Sequence, residues 1–183
     1  QVGSSAASDV YKRQVLDQQF DDAVDNTNFN YSGWVNYNEV GGEYWTEQVY
    51  NGNGYAEFSA FRTYDDVNIG WLVAPAFDLT TASTAYVSFK LAQHHVSDEI
   101  NNPLEVFVSS DFDGSNVTAA TWTKLNVAVP GQSASWYAFQ ESGLIDVSAY
   151  SGNLYLAFKY TGSGNNTNLD GGYFVDDVLF LKQ

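Results

Sequence analysis

The chain of 183 residues contains no cysteine. Disulfide staples, thiolate metal sites and cysteine nucleophiles are therefore excluded, although secretion is not. Positive charge is scarce too: Lys and Arg total 7 against 22 Asp and Glu, a formal charge of −15 at pH 7. A surface of that sign repels phosphate backbones and argues against nucleic acid as a partner. It attracts cations, and Asp and Asn oxygens are the hard ligands that calcium takes. No run of about 18 or more apolar residues occurs, so no membrane insertion is expected. The chain also lacks a Gly-x-Ser-x-Gly elbow, a His-Glu-x-x-His pair, a phosphate loop and a dinucleotide fingerprint, so catalysis finds little support.

The first residues do not read as protein. Ser4 to Gln14 is S-S-A-A-S-D-V-Y-K-R-Q, which looks like a translated transposase adapter from a sequencing library; its tail, Ser8 to Gln14, matches codon by codon and points to a metagenomic fragment. Residues 1–14 are set aside as this artefact and expected to be disordered. Setting them aside removes Asp9, Lys12 and Arg13 and leaves the remainder at −16. Residues 15–183 suit one domain with a proper core. Any export signal would have stood upstream of the adapter.

Aromatic residues are abundant, at 13 Tyr, 12 Phe and 5 Trp. Such rings suit the pleated surface of β-sheets, and most of them should be core. Helical periodicity is nearly absent, whereas alternation with period two is frequent. Strands are expected over Val15–Phe20, Gly33–Tyr37, Tyr44–Val49, Gly54–Phe61, Ile69–Ala74, Tyr86–Leu91, Leu104–Val108, Thr121–Val127, Trp136–Phe139, Asn153–Tyr160 and Gly172–Phe180. Turn clusters such as Asn51-Gly52-Asn53-Gly54, Asp113-Gly114-Ser115-Asn116 and Ser151-Gly152-Asn153 separate them. Short strands at regular spacing over this length predict an all-β fold, a jelly-roll β-sandwich of the galactose-binding or carbohydrate-binding-module kind.

Several motifs stand in a defined order: F-D-D from Phe20, a Gly-Trp pair, Y-W-T-E, G-W-L-V-A-P-A-F-D-L and L-E-V-F-V-S-S-D-F-D-G. T-W-T-K-L, S-G-L-I-D-V-S-A-Y-S-G, L-A-F-K-Y-T-G-S-G and Y-F-V-D-D-V follow. The series, from about Phe20 to Phe180, resembles the choice-of-anchor J domain, also called the cleaved adhesin domain. The resemblance implies a secreted, non-catalytic bacterial surface module within a larger multidomain protein. It also implies a structural calcium between the N-terminal strand and the last strand. Carried onto this chain, the ligands would be Asp21 or Asp22 with Asp176 or Asp177. The family often has Asp-Phe-Glu where this chain has Gln19-Phe20-Asp21.

The residues themselves add constraints. An ionised Asp176 or Asp177 inside an apolar strand is costly unless paired or bound to a metal. Successive strand residues face opposite ways, so only one of the two is expected to point at a given site. Asp111 to Asn116 opens like an EF-hand loop, but Trp122 stands where the closing Glu belongs, and a hairpin turn is expected instead. His94 and His95 are adjacent on a strand and should diverge, which leaves them as parts of a polar binding loop or as a hydrogen-bonded core pair rather than a metal clamp. Trp34, Trp71 and Trp122 are assigned to the core. Tyr44, Trp45, Tyr50, Tyr64, Trp136 and Tyr137 lie near loops and are expected to contact ligand, since sugars need an apolar stacking surface beside hydrogen-bonding groups. Three functions follow. The first is a calcium-stabilised module binding an extracellular glycan. The second is a protein–protein adhesion or display domain. The third is a small glycosidase, which needs two carboxyl groups about 5–9.5 Å apart across a cleft.

Overall fold

The computed structural model describes residues 13–183. The adapter-like segment lies outside the described residues up to position 12; Arg13 and Gln14 open the first strand. The strands are β1 (Arg13–Gln18), β2 (Thr27–Asn28), β3 (Val35–Val40), β4 (Thr46–Tyr50), β5 (Asn53–Ser59), β6 (Asn68–Val73) and β7 (Phe77–Asp78). They continue as β8 (Ala85–His94), β9 (Leu104–Ser109), β10 (Thr123–Lys124), β11 (Gln140–Glu141), β12 (Ile145–Asp146), β13 (Asn153–Gly162) and β14 (Gly172–Lys182). A single 3-10 turn, Val117–Ala119, is the sole helical piece among the described residues.

Two antiparallel sheets stack as a jelly-roll β-sandwich. The larger has 8 strands in the order β11-β8-β14-β5-β4-β2, with β1 also pairing β14 and β12 also pairing β8. The smaller has 6, in the order β10-β9-β13-β6-β3, with β7 on β13. The alternation read from the sequence sorts side chains between the faces. In β5, Ala56 and Phe58 are buried while Tyr55, Glu57 and Ser59 are only partly so. In β8, Val87, Phe89 and Leu91 are buried while Tyr86, Ser88 and Lys90 are not. The inward set forms one core in which Phe58 stacks on Tyr160 at 4.3 Å and Phe77 on Phe180 at 4.8 Å. Gly70 of β6 makes room for that packing, because a Cβ there would fall 2.1 Å from the Phe58 ring.

β14 lies at the centre, bonded to β1, β5 and β8. Its register slips between Asp176 and Leu179, and Asp177 takes a positive φ of 48°. Such a bulge inserts an extra residue and bends the strand. Val175, Val178 and Phe180 all stay in the core as a result.

Three expectations are corrected here. Trp136–Phe139 is not a strand: Tyr137 adopts φ 63° and only its N–H reaches β8, at the Gln93 carbonyl, 2.8 Å away. Thr121–Val127 shortens to the two-residue β10. Trp45 is not a ligand contact but fully enclosed core, edge-on to Phe58. Trp34 and Trp71 are buried as expected, and Trp122 is half-buried against Trp71 and Phe112 on the outer side of the smaller sheet. The Asp111–Asn116 loop is a connection between β9 and β10. The Asp113 carboxylate accepts the N–H groups of Ser115 and Asn116, both at 2.8 Å, and Asp111 accepts Thr121 N–H at 2.8 Å. Both acids serve the turn.

The buried Tyr160 hydroxyl donates to the Gly171 carbonyl at 2.7 Å and accepts the Ala60 N–H at 3.1 Å. It joins the loop after β5 to the start of β14. Tyr160→Phe leaves a buried N–H unpaired, so it should cost about 1–3 kcal/mol. Chemical denaturation checks this; an unchanged midpoint would show that the join does not matter.

Candidate functional site

The outward residues of the central strands pave a groove across the outer face of the larger sheet. Its middle holds about 580 Å³ and is lined by Tyr50, Tyr55, Tyr137, Phe139 and Phe174, with Asn53, Lys90, Asp176 and Asp177. Phe174 is the hub. Tyr55 packs on it at 4.6 Å, Tyr137 at 5.9 Å, Phe139 at 6.0 Å and His94 at 5.2 Å. Pairing explains the cluster: Phe174 of β14 sits between Glu57 of β5 and Ala92 of β8, so the small Ala92 leaves space beside it.

Beyond Tyr137 the groove continues into a second space of about 580 Å³, lined by Phe61, His94, His95, Trp136 and the Thr167–Asp170 loop. At the other end, Lys90 and Asp177 separate the aromatic middle from a polar hollow of about 420 Å³ with Asp17, Gln19 and Glu141 on its walls. The three spaces adjoin one another through these shared wall residues, and together they make up a trough along β8 and β14.

Among the described residues, three of the eight non-glycine residues with positive φ lie on the walls of the trough. Asp177, His95 and Tyr137 line it, Asn51 adjoins Tyr50, and Arg62 adjoins Phe61. Held conformations of that kind cost about 1–3 kcal/mol each and persist where surrounding structure over-determines them, commonly at functional sites.

The acidic pair behaves differently from the sequence expectation. The bulge interrupts the alternation, so both carboxylates line the same groove. Asp177 pairs with Lys90 at 2.6 Å, which raises the lysine pKa. Asp176 is 3% exposed, accepts the Asn53 side-chain N–H at 2.9 Å and the Asp177 N–H at 2.7 Å, and has no cation in direct contact. Burial pushes its carboxyl up to about 6, only partly offset by those hydrogen bonds.

Asp21 and Asp22 are exposed, and Asp22 accepts the Tyr31 hydroxyl at 2.9 Å. Among the described residues no three His, Asp or Glu groups converge in a way that could hold a metal ion. Asp176 is the one carboxylate of the four whose surroundings call for a positive partner.

His94 and His95 do not diverge. β8 ends at His94, and His95 turns to φ 54°, which brings the two Nδ1 atoms to 2.9 Å. Of the remaining expected contacts, Tyr50, Trp136 and Tyr137 lie in the trough, whereas Tyr44 and Tyr64 are exposed but do not line it. Tyr55, Phe61, Phe139, Phe174, Asn53 and Lys90 were missed. The period-two pattern of β5 places Tyr55 opposite to Ala56 and Phe58, and that signal could have found it.

No family model and no curated protein matches the chain. Solved structures do. Two cleaved adhesin domains of Lys-gingipain from Porphyromonas gingivalis superpose with TM-scores of 0.58 and 0.56 at 15% identity, each covering 92% of this chain and 98% of theirs. A variant of the family 29 carbohydrate-binding module CBM29-2, complexed with cellulohexaose, superposes with a TM-score of 0.50 at 10% identity over 94% of this chain and 92% of that one. The chain shares their fold.

The Asp176 shift has a consequence for stability. Its folded-state pKa lies above the ordinary 3.8. Between about pH 4 and about pH 6 the folded chain keeps a proton that the unfolded chain has released, so stability falls as pH rises through that window. Asp176→Asn should flatten this part of the curve of Tm against pH. An identical slope in the variant would contradict the assignment.

Proposed function

We propose that this chain is a non-catalytic extracellular module of the choice-of-anchor J kind that holds a glycan chain along the trough. The observation that carries the reading is the cluster of rings Tyr55, Phe139, Phe174 and Tyr137, flanked by Tyr50 and Trp136, beside Asn53, Lys90, Asp176 and Asp177. Stacking rings with a few fixed polar groups suit a polyhydroxylated ligand with apolar faces. The groove carries more carboxylate than ammonium, which favours neutral sugars over anionic ones. The shared fold with a module solved in complex with cellulohexaose supports the reading. Secretion, surface display and membership of a larger protein belong to the same proposal and rest on the resemblance to cleaved adhesin domains. No helix among the described residues is long and apolar enough to cross a membrane.

The test is a glycan array followed by calorimetry with the best hits. Tyr137→Ala and Tyr50→Ala should each weaken binding about tenfold, or about 1.4 kcal/mol, while Tyr44→Ala, outside the trough, should leave it unchanged. Equal losses at all three positions, or hits that depend on none of them, would sink the assignment of the groove. A folded protein with a blank array would move the reading to protein–protein adhesion. A second reading, a small glycosidase, draws on Asp176, whose carboxyl pKa is raised, with Asp177 on the same groove, and requires their carboxyl groups to lie about 5–9.5 Å apart across the bound sugar. Release of reducing ends from a bound oligosaccharide, lost in Asp176→Asn, would establish that reading instead.

Calcium stabilisation is part of the proposal through Asp176, with Asp21 or Asp22 and the carbonyl of the Phe20 turn, which reaches the Gly54 backbone, as further oxygens. A bound cation would favour the ionised carboxylate. Calcium should therefore raise Tm and remove the decline between about pH 4 and about pH 6, and EDTA should restore it. Identical curves in calcium and EDTA would remove the metal from the account.

A further inference from the structure

Trp136 and Tyr137 stand half-exposed on one wall of the trough, yet the loop that carries them is not a strand. Its tie to β8 is the Tyr137 N–H on the Gln93 carbonyl, with the Gln93 side chain donating to the Ala134 carbonyl at 2.7 Å. The rings themselves are backed by imidazoles. His95 lies 4.0 Å from Trp136 between ring centres, and His94 stacks on Tyr137 at 5.6 Å with planes 9° apart. The histidines are in turn joined, Nδ1 to Nδ1, at 2.9 Å, and His94 Nε2 lies 2.9 Å from the Glu57 carboxylate on β5.

This chain of contacts fixes where the protons sit. An ionised carboxylate only accepts, so His94 Nε2 must carry a hydrogen. In neutral His94 the Nδ1 atom is then a lone pair, and His95 Nδ1 must be the donor. One added proton is tolerated, because one of the two facing Nδ1 atoms still holds a lone pair. A second added proton places N–H against N–H, and the contact becomes repulsive. Other groups around the pair are Phe174 of β14, packed on His94, and Asp170, Asn168 and Ser97, which line the same space. Phe61 also lines this space, and Arg62 lies over its ring, 4.8 Å from the centre.

We propose that Glu57, His94 and His95 are positioning residues that hold Trp136 and Tyr137 as a ligand platform, and that they do so only while the two imidazoles carry at most three ring protons between them. The sequence gives no sign of this, since Glu57 stands 37 residues from His94. The inference rests on the glycan reading for its purpose but not for its geometry. It makes binding at this end of the trough acid-sensitive, with the pH dependence set by a pair of imidazoles rather than by one.

Two measurements without ligand test the geometry. Nitrogen-15 NMR at about pH 8 should find His94 protonated on Nε2 and His95 on Nδ1. Finding His95 protonated on Nε2 instead would overturn the relay. The Trp136 indole N–H should be rigid in the native protein and mobile in His95→Ala, and equal mobility in both would overturn the positioning role. With cellohexaose and mannohexaose as probes, affinity should fall about tenfold or more when the second proton enters the pair. Glu57→Ala should lose a similar factor at about pH 8, and Glu57→Gln, which keeps an acceptor oxygen, should restore most of it. Affinity that is flat with pH in a protein that binds would overturn the proposal. If neither sugar binds at any pH, the glycan reading fails, and the NMR measurements still decide the relay.

Discussion

The structure depends on how β14 passes through the larger sheet. It is the strand to which β1, β5 and β8 all bond. A regular strand here would turn one of Asp176 and Asp177 into the apolar core, at a cost of several kcal/mol for an unpaired charge. The bulge resolves the conflict. It keeps Val175, Val178 and Phe180 inside and sends both carboxylates to the outer face. Asp177 then meets Lys90, and Asp176 meets Asn53. The same local backbone that closes the core also supplies the polar groups of the groove.

The groove is built from two kinds of support. Its floor is rigid sheet: Lys90 and Phe174 are held by ladder pairing on both sides, and Tyr55 by pairing with Gln48 of β4. Its rim is loop, and there the rings depend on side-chain contacts and on residues held at positive φ. Tyr160 links these regions from below, by joining the Ala60 loop to the start of β14 through one hydroxyl. The division has a functional sense. A rigid floor gives a preorganised stacking surface, which lowers the ordering cost of binding. A rim held by Glu57, His94 and His95 can respond to conditions that leave the core untouched.

Much of the fold was legible in the sequence. Alternation in G-Y-A-E-F-S-A-F and Y-V-S-F-K-L marked β5 and β8, and turn residues marked the gaps between strands. The short strands β2, β7 and β12 escaped because two residues carry no period. Trp136–Phe139 misled because aromatic residues raise strand propensity wherever they fall, and exposure rather than pairing explains these. The site was half legible. Nearness to turns picked out Tyr50, Trp136 and Tyr137, which line the groove, and misplaced Trp45, whose neighbour Tyr44 is the one that faces out. The rings on strands, Tyr55 and Phe174, were hidden by the sound rule that most aromatics are core. The behaviour of Asp176–Asp177 and of His94–His95 turns on positive φ at Asp177 and His95, which Asp and His adopt more readily than most residues but which period-two alternation does not mark.

The most direct test of the central claim is a map of where sugar touches the protein. Amide and indole NMR shifts recorded during titration with a neutral hexasaccharide should move along Tyr50, Asn53, Tyr55, Trp136, Tyr137 and Phe174, with the outer face of the smaller sheet around Trp71 and Trp122 unmoved. Shifts centred on Trp71 and Trp122, or on the Tyr44 loop, would show that the trough is not the binding site and that the account of the larger sheet is wrong.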